Sequence, residues 1–240
     1  MPRNCAHCSI NAIQDAGHRH DPGIGFLLVA ALTLWLFHRA LRKSYWVLSV
    51  GVAWMLLQAF LASSGFYAVP FGTPPRFGLA IGPAVVFALF LVFSSAGMKL
   101  AQQADLRALT LVHFVRLPVE LLLHRLADEG GVPSVMTWEG RNFDIVMGLS
   151  APIMAWWAFR SATLPKRVLV VWNVLGLLLL LNVVVHGVFS APSPFQQFHL
   201  GAEFALLRSP FIWLPSVIVP LVLFGHVLAL RKLTRSGSTE

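Results

Sequence analysis

An all-α fold, a polytopic bundle of seven membrane-spanning helices, is expected from three features of this 240-residue chain. Hydrophobic residues make up 57% of it and charged residues only 12%, where a soluble domain carries about 25% charged residues. Mean hydropathy is +0.71. Apolar runs of roughly 20 residues, each long enough to cross a hydrocarbon core of about 30 Å, recur along the chain and leave no length for a separate catalytic domain.

The expected organisation is a polar N-terminal tail over 1–22, a membrane domain over 23–232 and a short C-terminal tail over 233–240. The tail is not read as a signal peptide, because little positive charge and no small-residue cleavage site accompany the first apolar run. That run covers Ile24 to Phe37, and a second goes from Tyr45 to Val69. The turn Pro70-Phe71-Gly72-Thr73-Pro74-Pro75 ends it, since clustered prolines and glycine break a helix. A third run, Phe77 to Ser95, leads into a polar joint from Lys99 to Arg107. The fourth helix is expected from about Leu106 to Ala127, the fifth from Phe143 to Phe159 and the sixth from Val168 to Phe189. Ser190-Ala191-Pro192-Ser193-Pro194 stops the sixth. The seventh is expected from Phe211 to Leu230, with Pro210 in its first turn, where proline is tolerated.

The net charge of +8 does not point to nucleic acid, because the basic residues sit in short joints between apolar runs. Arg39, Arg42, Lys43, Lys99, Arg107, Arg160, Lys166, Arg167, Arg231, Lys232 and Arg235 fall on one side of the expected topology. The opposite joints carry Arg76, Arg125, Arg141 and Arg208, diluted by Asp128, Glu129, Glu139 and Glu203. Cytoplasmic loops are the ones enriched in Lys and Arg, so the N-terminus is expected outside and the C-terminus in the cytoplasm.

The fourth helix carries ionisable residues through its length: His113, Arg116, Glu120 and His124. At about 100° per residue the four fall within one arc of roughly 80°. Such a stripe cannot face lipid, where a charge at the bilayer centre costs several kcal/mol or more, so it must face the bundle interior. Arg116 and Glu120, four apart, form the expected charge pair. One reading of the pair is a salt bridge that fixes packing; the other is a site. Asp144 at the start of the fifth helix, with Asn182 and His186 near the outer end of the sixth, should reach the depth of Glu120 and His124. His113, Glu120, His124, Asp144, Asn182 and His186 are therefore the candidate ligands or proton carriers of an outer-half pocket. Carboxylates and imidazoles together suit a divalent metal, a proton relay or a polar headgroup.

The joint Thr137-Trp138-Glu139-Gly140-Arg141-Asn142-Phe143-Asp144 is dense in hydrogen-bonding groups. Glu139 and Arg141 could clamp a ligand there; equally, Thr137 or Asn142 could cap the fifth helix. In the tail, Cys5 and Cys8 with His18 and His20 supply donors for zinc or copper, or the cysteines could close a disulfide. Pro215 and Pro220 interrupt the seventh helix beside Gly225 and His226, which makes it a candidate gating element. No Gly-rich phosphate loop, His-Glu-x-x-His or Gly-x-Ser-x-Gly motif is found.

Trp138-Glu-Gly-Arg-Asn-Phe-Asp144, the later Leu-Ser-Ala-Pro152, and the stretch from Asn182 through Ser190-Ala-Pro-Ser-Pro-Phe-Gln-Gln-Phe198 resemble uncharacterised multi-helix inner-membrane proteins of bacteria. The resemblance covers helices four to seven and implies a multi-pass protein of the bacterial cytoplasmic membrane, with no activity attached. Three function classes remain: binding or translocation of a small polar or ionic solute; a membrane enzyme or redox protein holding either a divalent metal or haem through His113, His124, His186 or His226; and a structural or sensory subunit. The partners expected are the bilayer and a small solute or ion, and no nucleic acid.

Overall fold

The computed structural model describes residues 22–68, 75–160, 165–198 and 203–235. Among these every regular element is helical. The long helices are α1 (Pro22–Ala40), α2 (Tyr45–Ser63), α3 (Arg76–Phe93), α4 (Ser95–Gln103), α5 (Leu106–Val112), α6 (Arg116–Asp128), α7 (Ile145–Arg160), α8 (Lys166–Ser190) and α9 (Val219–Arg235). The proposed tail ligands Cys5, Cys8, His18 and His20, and the Pro70-to-Pro74 part of the turn after the second run, lie outside the described residues.

Five helical segments are long and apolar enough to cross a membrane: α1, α2, α3, α8, and α9 with the turn before it, Leu214–Arg235. The other two expected spans differ in kind. Helix α7 is apolar but has 16 residues, about 24 Å of rise. The Leu106–Asp128 rod has the length, but it carries the charged stripe and is broken by a 3-10 turn at His113–Val115. Pro118 accounts for that turn: it has no N–H for the carbonyl of Phe114, and its ring presses on it.

Local chemistry sets the helix ends. Asp105 caps α5, its carboxylate accepting from the backbone N–H groups of Arg107 (2.8 Å) and Ala108 (3.2 Å). Ser94 ends α3 and starts α4, accepting from Gly97 N–H at 3.1 Å. The polar stretch expected as a plain joint is therefore partly helical, as α4. Helix α1 closes with Lys43 N–H donating to His38 O (2.8 Å) and Arg42 N–H to Arg39 O (3.1 Å). Both Arg42 (φ 51°) and Lys43 (φ 62°) are left-handed, a conformation that costs an L-residue about 1 kcal/mol and normally selects glycine.

The seventh helix begins later than expected. Pro210 lies in a turn, and a π-helical turn at Leu214–Ile218 precedes α9. Pro220 has no N–H to offer Ser216 O, four residues back, and the indole of Trp54 on α2 donates to that carbonyl at 2.8 Å. Trp213 in return donates to Met55 O at 3.0 Å. Two indole–carbonyl bonds thus pin α2 to the irregular start of α9.

Helix α9 is central, packed against α3, α4, α5 and α8, while α1 packs on α2, α5 and α6 and α7 on α5 and α6. Phe37, Leu109, Phe224 and Leu228 fill the core at the end bearing Arg42 and Lys232; Phe26, Leu123, Ile212 and Ile218 fill it at the end bearing Asp128 and Glu139.

Candidate functional site

A polar network sits between the rod, α7, α8 and α9. His113, Arg116, Glu120, Asn142, Asp144, Asn173 and His226 are all buried, none more than 5% exposed. Their positions follow from helix geometry. Arg116 and Glu120 share one face of α6, one turn apart, and Asn142 and Asp144 close the joint that leads into α7. The close approach needs small residues. A Cβ on Gly176 would run into the ring of His226, and one on Gly148 would come within 2.5 Å of Leu117 N.

Arg116 is the hub. Its Nε donates to Asp144 Oδ2 at 2.6 Å, and Nη2 lies 2.6 Å from Oδ1 as an ion pair, without the alignment of a second hydrogen bond. Nη2 also donates to Gly176 O at 3.1 Å, and Nη1 to His226 Nε2 at 3.3 Å. A guanidinium can only donate, so His226 Nε2 is the accepting nitrogen. The proton of His226 is then on Nδ1, which donates to Asn173 Oδ1 at 2.9 Å. Asn173 passes its own N–H to Leu169 O at 2.8 Å. One side chain thus ties α6 to α7, α8 and α9. The bonded carboxylate of Arg116 is Asp144, not the Glu120 that spacing along one helix suggests.

His113 lies flat on His226, ring centroids 3.6 Å apart and planes 16° from parallel, and meets Trp172 edge to face with ring centroids 5.5 Å apart. It is fully buried, and neither ring nitrogen has a hydrogen-bond partner.

Glu120 is held differently. Asn142 Nδ2 donates to its Oε1 at 2.5 Å and to Met136 O at 2.9 Å, while Asn142 Oδ1 accepts from Asp144 N–H at 3.0 Å. The side chain of Asn142 therefore braces the turn before α7 and positions Glu120. Thr137 donates its hydroxyl to Ser134 O and so does not cap α7. The other carboxylate oxygen, Oε2, is buried without a hydrogen-bond partner. Gly140 allows the joint to fold back, since a Cβ there would meet Ser134 O and Val135 Cα at 2.5 Å.

One turn beyond Glu120 the stripe reaches solvent. His124 Nε2 stands 3.8 Å from Glu139 and 3.9 Å from Asp128, with its ring 4.2 Å from Trp138; such gaps are ones that water bridges. Asn182 and His186 form a separate group at the end of α8. Asn182 donates to Arg141 O at 2.7 Å, and His186 Nδ1 lies 2.8 Å from Asn182 O, its ring 6.0 Å from Phe198. The expected single pocket is thus two levels joined through Asn142, a separate His124 level one turn further out, and a brace that uses the backbone of Arg141. Among the described residues, no three of the His, Cys, Asp and Glu side chains gather as a metal-holding set.

Sequence reasoning left out Asn173 and Gly176, offered Asn142 only as a helix cap, and gave His226 to the metal or haem alternative and to the candidate gating helix rather than to the pocket. Asn173 had a legible signal, an amide in the middle of an apolar run. Gly176 had none, because its role is the absence of a side chain.

No curated protein and no solved structure matches the chain. Residues 74–234 match the Domain of unknown function (DUF8737). Since that stretch runs from α3 to α9 and includes every residue of the buried network, the chain belongs to the DUF8737 family.

Proposed function

We propose that the protein is a multi-pass membrane protein that passes an ion, the proton, from one aqueous face through its interior to the other, and that this passage drives or gates a small polar or ionic solute. The observation that carries this reading is Glu120, a buried carboxyl with one oxygen bonded and the other free to hold a proton. Ionisable residues inside membrane segments mark ion pathways and proton relays. Half-buried His124, with exposed Asp128 and Glu139 beside it, lies one helical turn from Glu120 on the side toward solvent. Below Glu120 stand Asp144 and the Arg116 clamp. With His226 Nε2 occupied by Arg116, a proton advances past this level only when the clamp opens, which is how a relay couples to a conformational step.

All seven segments, including α7 and the charged rod, cross the bilayer in this reading. The Lys/Arg-rich end is cytoplasmic and the Glu139 end faces outward, in the cytoplasmic membrane of a bacterium.

The test uses proteoliposomes holding a pH dye, with proton flux driven by an imposed potassium diffusion potential. The wild-type chain acidifies the lumen faster than protein-free vesicles do, and Glu120→Gln lowers that excess at least about ten-fold. Flux no faster than in empty vesicles, or flux unchanged by Glu120→Gln at equal reconstitution, overturns the reading.

A further inference from the structure

Away from the network, the α1–α2 joint is a second built feature. Trp35, His38, Arg39, Arg42, Lys43 and Tyr45 line a cavity of about 580 Å³. Three of the six are fixed cations, none is acidic, and among the described residues none of the three has a carboxylate within ion-pair distance. Arg39 lies over the face of Trp35 at 5.2 Å, which orients its guanidinium.

Two of the cations occupy backbone positions that favour glycine. Arg42 and Lys43 are both left-handed, at φ 51° and 62°, and their amides are bonded to Arg39 O and His38 O. A helix end of this kind is easiest to make with glycine, so the joint retains two long cationic side chains at a conformational cost. Strain of this sort belongs where the side chains have work to do.

On the reading of this chain as membrane-spanning, we infer that the joint binds the headgroup of an anionic phospholipid, with Arg39, Arg42 and Lys43 meeting its phosphate. Trp35 and Tyr45, 51% and 69% exposed, supply the aromatic level at which headgroups lie. Charge complementarity selects the ligand: the cytoplasmic leaflet carries anionic lipid, and basic clusters next to a membrane segment recognise it. Immediately after Tyr45, Trp46 and Val47 line an apolar cleft of about 380 Å³ between α2, α3 and α9. The Ser216 carbonyl on its wall is already taken by Trp54, so the cleft suits an acyl chain.

The test is native mass spectrometry of the full-length chain in mild detergent. It compares retention of phosphatidylglycerol with that of phosphatidylcholine bearing the same acyl chains. The expected result is saturable retention of the anionic lipid, about five-fold or more over the neutral one. The double variant Arg42→Gly with Lys43→Gly removes the charges while relaxing the backbone; it should abolish the preference without lowering the melting temperature. Arg39→Gln reduces the preference by a different route. Equal retention of the two lipids, or an unchanged preference in the glycine pair, overturns the inference. Full displacement of the lipid by millimolar inorganic phosphate overturns the assignment to a lipid. Glu120→Gln keeps the preference, so failure here is distinguishable from failure of the proton reading.

Discussion

Helix α2 and the Leu214–Arg235 segment have nearly equal mean hydropathy, yet 6% of the most apolar stretch of the first is buried in the bundle and 72% of the second. Apolar content therefore says that a helix suits a membrane and nothing about whether it faces lipid or protein. What separates the two is their few polar, small and irregular positions. Leu214–Arg235 brings Ser216, Gly225 and His226 inside, with two prolines that loosen its first turns. Of the residues of α2, only Gln58 is buried, bonded to Tyr67 at 2.6 Å. In lipid the hydrophobic effect no longer sorts faces, so inward faces are recognised by small residues and interhelical hydrogen bonds.

The sharpest way to break the contrast is to remove one charge from the central network. Asp144→Ala leaves the Arg116 charge buried without its carboxylate and should cost about 3–5 kcal/mol, read as a lowered unfolding midpoint in detergent. Replacing both partners with apolar residues, Arg116→Met with Asp144→Leu, should recover much of that loss, because no unpaired charge is left. Next in size is Gly176→Ala, whose new methyl collides with the His226 ring; overpacking of this kind costs about 1–3 kcal/mol. Trp54→Phe tests the link between the two helices. It removes the indole that donates to the Ser216 carbonyl and should cost about 1–2 kcal/mol, with faster amide exchange in α2 than in α8. Smallest is Phe60→Leu on the outer face of α2, where 68% exposure predicts a change within about 0.5 kcal/mol. A large loss there would mean that α2 packs against something other than lipid.

Much of the architecture was legible in the sequence because helix length and apolar content are local quantities. The starts of α1, α2, α3 and α8 lie within two residues of the runs read from the chain, although α2 ends at Ser63, six residues short of its run. The charged stripe of the rod was legible too, since 3.6-residue periodicity puts His113, Arg116, Glu120 and His124 on one side. Pairing was not. Spacing along one helix favoured Arg116 with Glu120, but the three-dimensional partner Asp144 comes from 28 positions away, where the joint folds back through Gly140 and Asn142. The helix α4 was missed because its polar composition reads as a loop, although the Ser94 cap was there to be seen. Gly176 and Gly148 act through the atoms they lack, and a sequence does not display the neighbour that needs the space.

The central claim is that Glu120, rather than the Arg116–Asp144 clamp, is the exchangeable group of this interior. The most direct measurement is an infrared difference spectrum of the purified chain across a pH jump, for the wild type and for Glu120→Gln. A protonated-carboxyl band that bleaches as pH rises and is missing in Glu120→Gln is the result expected here. The same band persisting in Glu120→Gln would assign the exchange to another carboxyl and contradict the account.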